Sequence, residues 1–83
     1  MFYYVYILKS EKDNLWYTGC TKGLKERLIL RNQGKVFSTK NRIPFELIYY
    51  EACLNIKDAF AREKYLKTGM GKRYLTNRLK NYL

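Results

Sequence analysis

The chain has no histidine, a single proline, two cysteines and only seven acidic residues among its 83. The missing histidine removes a Ser/His/Asp triad, a Cys/His nucleophile pair and any His-based zinc site. Cys20 and Cys53, 33 positions apart, cannot build a four-cysteine zinc cluster. Chemistry must therefore draw on Tyr, Lys, Arg, Asp or Glu. Long hydrophobic runs are absent too. The longest, Phe2 to Leu8, falls far short of the roughly 20 apolar residues of a membrane span, and it lacks the basic leader and small-residue cleavage site of a secretory signal. The expectation is a cytoplasmic protein with reduced thiols and no membrane association. A chain of this size buries roughly 60 to 65% of the surface its unfolded state exposes, enough for one thin core. Residues 1–83 are accordingly read as one domain, with no room for a tightly bound organic cofactor.

What is present in excess is positive charge: 17 Lys and Arg give a net charge of +10. The excess is confined to two blocks. Residues 22–43 hold seven basic and one acidic group, and residues 62–83 hold the same. Residues 1–21 balance, and 44–61 are net negative. A basic surface concentrated this way favours a polyanion, and without a lipid anchor the expected partner is nucleic acid. A solubilising surface is the plainer alternative.

Phe2 to Leu8 is rich in tyrosine and β-branched residues and predicts a strand. Lys9 to Asn14 predicts a turn and Leu15 to Cys20 a second strand, closing a hairpin. Thr21 is placed to cap a helix from Lys22 to about Gln33, stopped by Gly34. Lys35 to Pro44 reads as a basic loop and Phe45 to Ala52 as a third strand. Asn55 caps a helix from Ile56 to about Lys67, with Asp58 favouring its positive end. Gly69 and Gly71 then predict a break before a short helix over Lys72 to about Asn81. The fold class is α+β: a small three-stranded antiparallel sheet flanked by helices, in the order β-β-α-β-α-α.

Two helices carry residues in informative places. At about 100° per residue from Leu24, Arg27 falls at about 300°, Arg31 at about 340° and Leu28 at about 40°. Both arginines thus lie beside the apolar stripe. They either await an anion or snorkel to solvent along the core edge. On the second helix, counted from Ile56, Ala59 falls at about 300°, Phe60 at about 40° and Glu63 at about 340°. A carboxylate in the middle of a buried face needs a cation. Lys67, one turn on, is one candidate, and a divalent metal held with substrate phosphate and water is the other.

These residues carry a resemblance. Tyr4, Val5, Tyr6, then Tyr17, Thr18, Gly19, followed by Leu24, Lys25, Glu26, Arg27 and later Arg62, Glu63, Lys64, resemble the GIY-YIG endonuclease family. The likeness is to small single-domain members related to the nuclease domain of the DNA-repair excinuclease. It implies a metal-dependent DNA endonuclease that hydrolyses phosphodiester bonds, in repair or in the processing of branched DNA, with one Mg2+ or Mn2+ ion. Tyr6 and Tyr17 match the two motif tyrosines, Arg27 the arginine that stabilises phosphate charge, and Glu63 the metal-binding carboxylate. Tyr4 stands in place of the first motif glycine. Many members carry a histidine one turn after the arginine; here that place is Arg31, which cannot accept a proton from the nucleophile. The base is then Tyr17, Tyr6 or solvent hydroxide. The alternative is a nucleic-acid-binding module that keeps the fold without efficient cleavage. Arg31, Lys40, Arg42, Lys72 and Arg73 are the expected nucleic-acid contacts. No base-reading element is evident, so specificity is expected from DNA structure or from a protein partner.

Overall fold

The computed structural model describes residues 1–83. It contains β1 (Tyr3–Ser10), β2 (Trp16–Thr21), α1 (Leu24–Asn32), a 3-10 segment (Phe37–Arg42), β3 (Phe45–Cys53), α2 (Ile56–Leu66) and α3 (Gly69–Arg78). The α+β class and the order β-β-α-β-α-α are as the sequence implies. The sheet is antiparallel in the order β2-β1-β3, so β1 is central and β2 is an edge. Both faces of β1 are covered, which is why its sequence is a nearly unbroken apolar run rather than an alternation.

Alternation along β1 assigns the two faces. Val5 and Ile7 point to the side covered by α2 and α3 and form one core cluster with Ala59, Leu66 and Leu75. Tyr6 and Leu8 point to the other side and pack with Phe45, Leu24 and Leu28 of the α1 layer. A bulge in the β1–β3 register at Ile7/Leu8 lets both Ile48 and Tyr49 meet the first cluster. Each helix layer is thus attached to a different face of the same sheet.

Local chemistry sets the element ends, and several differ from expectation. β1 continues two residues beyond Leu8 because Ser10, although polar, is buried and satisfied: its hydroxyl donates to the Arg42 carbonyl and accepts from the Lys12 N–H at 3.1 Å. Thr21 does not cap α1. Its hydroxyl accepts from Gly23 N–H, and the helix starts at Leu24. The stop at Gly34 is as read: Gly34 adopts φ 74°, with Lys35 N–H bonded to Leu30 O and Gly34 N–H to Arg31 O. The loop expected over Lys35 to Pro44 contains the 3-10 segment, and Asn32 exchanges two hydrogen bonds with the Phe45 backbone to fix α1 against β3. Asn55 caps α2 by accepting from Lys57 N–H.

The glycines after α2 do not break the chain where expected. α3 begins at Gly69, with Thr68 accepting from Gly71 N–H at 3.1 Å. A Cβ on Gly71 would collide with Tyr65 O and Leu66 Cα, so this glycine is required by the close approach of α3 to the end of α2. On the same face, Glu51 of β3 accepts two bonds of 2.9 Å from Arg62 and one from the Tyr49 hydroxyl, while Arg62 lies over the Tyr74 ring. Burial pushes the Glu51 carboxyl up, but these partners hold it below its ordinary value overall. The network ties β3, α2 and α3 into one unit.

Candidate active site

The hairpin register brings Tyr6 and Tyr17 to one face. Tyr6 pairs with Gly19 and Leu8 with Tyr17, so Tyr6, Leu8, Tyr17 and Gly19 all face the α1 layer. Tyr6 is 1% exposed, and its ring lies across Gly19, where any Cβ would strike the phenol. A glycine at this place lets the first motif tyrosine cross beneath the second strand. The two tyrosine rings stand 6.5 Å apart.

Arg31 joins them. Its Nη2 donates to Tyr17 Oη at 3.0 Å and Tyr6 Oη at 3.2 Å, its Nη1 donates to Thr39 Oγ1 at 3.1 Å, and the guanidinium lies 4.2 Å from the centre of the Tyr17 ring. The residue is 3% exposed, and its buried Nε has no partner. All three acceptors are neutral hydroxyls, so the cation has no carboxylate to offset it. Burying a charge in such a setting costs several kcal/mol, and the guanidinium makes the floor beneath Tyr17 strongly electropositive. Because both phenol oxygens accept from Arg31, the phenol protons must point elsewhere. Tyr17, half-buried, can aim its proton outward; Tyr6 cannot reach solvent.

The other two motif residues approach from opposite faces. Arg27, one turn before Arg31 on α1, is half-buried and forms no hydrogen bond or ion pair with a side chain. Glu63 of α2 is also half-buried, its side chain 21% exposed, and pairs with Lys67 at 3.1 Å. The pair expected as the simpler partner for this carboxylate is thus formed. Cys20, near the end of β2, lies within electrostatic reach of both: burial raises its thiol pKa, Glu63 adds to the rise, and Arg27 opposes it. Arg27 and Glu63 thus both bear electrostatically on the Cys20 thiol, one from each face of the sheet.

A family model described as "GIY-YIG catalytic domain" matches residues 2–82. The chain belongs to the GIY-YIG family. It is 42% identical over 65 residues to a UPF0213 protein of Clostridium perfringens, covering 77% of this chain and 69% of the relative. With a UPF0213 protein of Staphylococcus haemolyticus it shares 42% over 67 residues, 80% of each chain. The solution NMR structure of the UPF0213 protein BH0048 from Bacillus halodurans superposes with a TM-score of 0.57 at 32% identity, covering 93% of this chain and 84% of that one. This is a small, single-domain kind of GIY-YIG protein, in a family of nucleases that act on DNA. No helix is long and apolar enough to cross a membrane.

In this GIY-YIG domain the expected DNA contacts divide. Lys40 is exposed, with its ammonium over the Phe37 ring, and Lys72 and Arg73 are exposed on α3. Arg31 requires correction, and Arg42 is engaged by another side chain. Arg31 is not at the surface, because its head is drawn inward by three hydroxyls. Arg42 is not a free cation: Nε donates to Asp13 at 2.8 Å and Nη2 to Leu15 O at 3.2 Å. The Arg42 hydrogen bond is the main reason the Asp13 carboxyl sits at about 2. Nothing in the sequence marks Thr39 as a partner of Arg31. It lies in a polar stretch without periodicity, and only the folding back of the 3-10 segment reveals it as an anchor for Arg31.

The donor set around Glu63 can be tested against a divalent ion. No group of three or more Asp, Glu, Cys or His forms a cage. One half-buried carboxylate, whose partner Lys67 is mostly exposed and able to swing away, fits the magnesium pattern of one protein carboxylate completed by phosphate oxygens and water.

Proposed function

We propose that this GIY-YIG domain is a metal-dependent endonuclease that hydrolyses phosphodiester bonds in DNA, acting in the cytoplasm in repair or in the processing of branched DNA. The observation that carries this reading is that both motif tyrosines accept from one buried cation, Arg31, with Arg27 one turn before it on the same helix. Arg27, free of partners, binds a non-bridging phosphate oxygen and offsets the charge that develops there. Tyr17, its oxygen held by Arg31, orients the attacking water. Tyr6, sealed inside, positions Arg31 and through it Tyr17. Glu63 would hold Mg2+ or Mn2+ once Lys67 moves aside, and the ion would act as a Lewis acid stabilising the leaving oxygen. Lys40, Lys72 and Arg73 fasten the flanking backbone.

A second reading, a DNA-binding module with weak cleavage, is favoured by one observation: Lys67 already neutralises Glu63. Nicking of supercoiled plasmid and of flapped DNA by wild type and Glu63→Ala, in magnesium and in manganese, separates the two. The nuclease reading expects nicking by wild type and a loss of at least about 100-fold in the variant, the scale at which a key charge-stabilising group is usually felt. Equal rates, or no nicking by wild type, would leave the binding module.

A further inference from the structure

A cleft of about 600 Å³ runs along the outer edge of β2, between that strand and the α2–α3 pair. This lies within the roughly 300–1,000 Å³ of small-ligand sites. Trp16, Leu66 and Leu75 supply apolar wall, Lys67 and Lys72 supply charge, and no acidic residue lines it. Leu66 and Leu75 are core residues, so the floor is rigid. Lys72 is exposed and has no carboxylate partner. An occupant that suits such a cleft has a flat apolar face and a negative charge, the two attributes of a nucleotide. Bases in a duplex hide their faces in the stack, so the nucleotide must be unpaired. As an edge strand, β2 also offers unpaired backbone N–H and C=O groups to a base edge.

Two residues join the cleft to the candidate active site. Tyr17 lines the cleft and accepts from Arg31, and Lys67 lines the cleft and pairs with Glu63. We infer that the cleft binds an unpaired nucleotide of a DNA strand, with its base against Trp16 and its phosphate between Lys67 and Lys72. This rests on the nuclease reading for the choice of polymer and sharpens it: the substrate has a single-stranded stretch beside the scissile phosphate.

Trp16 is the only tryptophan, so its fluorescence reports on the cleft without any cleavage. The test titrates the protein, in chelator and at fixed salt, with a single-stranded oligothymidylate and with a blunt duplex of equal length. The expected result is quenching by the single strand and at least about tenfold tighter binding than to duplex, in keeping with the stacking of one base on an aromatic ring. Lys72→Glu is expected to weaken single-strand binding about tenfold or more with an unchanged urea midpoint. Lys80→Glu, the same charge change on an exposed residue outside the cleft, is expected to weaken it less than about threefold, the scale of a long-range surface charge. No quenching, equal affinity for duplex, or equal effects of the two charge reversals would overturn the inference. Quenching by single strand from a protein that nicks no plasmid would uphold the cleft and sink only the nuclease reading; nicking without quenching would do the reverse.

Discussion

Arg31 is the residue whose placement most changes the reading of the site. The helical wheel set it beside the apolar stripe, nearer its centre than Arg27, but left its head to an anion or to solvent, so its burial was not legible. Nor was the identity of its partners. The hairpin register fixed two of them, and the fold-back of a stretch without periodicity fixed the third, Thr39. A guanidinium is suited to this place because its planar fork reaches several acceptors while stacking on a ring. An ammonium is more strongly hydrated and stacks poorly, so Arg31→Lys keeps the buried charge while losing most of its contacts. We predict that Arg31→Lys destabilises the protein by about 2–4 kcal/mol, and by more than Arg31→Met, which discards the charge along with the bonds. Urea denaturation of both variants checks this. A milder effect of lysine than of methionine would show that the charge is not buried as described.

At the scale of elements, hydrophobic pattern and capping residues were enough to order the strands and helices, since the central strand, the Gly34 stop and the Asn55 cap are local signals. The start of α3 was not legible because glycine has two meanings in a sequence. It can interrupt a helix, or it can let two backbones approach. Gly69 and Gly71 separate the cases: a Cβ at Gly69 meets open space, whereas at Gly71 it meets the backbone of Tyr65 and Leu66, which cannot rotate away. Gly71→Ala is therefore predicted to cost about 2–3 kcal/mol through overpacking. Gly69→Ala, within the first turn of α3, is predicted to be neutral or to stabilise by up to about 1 kcal/mol through helix propensity. Denaturant midpoints of the two single variants, measured side by side, decide it. Matching losses would mean that α3 does not approach α2 as closely as described.

The molecule as a whole turns a one-dimensional charge pattern into a surface. The two basic blocks occupy opposite faces of the sheet, one in α1 and the 3-10 segment, the other in α2 and α3. Block arithmetic could not tell which cations remain free. Arg31 is withdrawn into the interior and Arg42 is bound to Asp13, which leaves Arg27, Lys40, Lys72 and Arg73 as the expected phosphate contacts. If all four engage duplex DNA, the logarithm of the binding constant should fall with the logarithm of salt at a slope of about −3.6, from about 0.9 per contact. Lys40→Ala should weaken binding and flatten that slope by about one contact, roughly 0.9. Removing Arg42 together with Asp13 as a double alanine variant leaves the net charge unchanged and takes away no free cation. It should leave both affinity and slope close to wild type. Fluorescence anisotropy across a salt series reads both quantities. A slope reduced as much by the double variant as by Lys40→Ala would show that Arg42 leaves Asp13 for the DNA, and that the ion pair on the surface of the free protein is exchanged when the substrate binds.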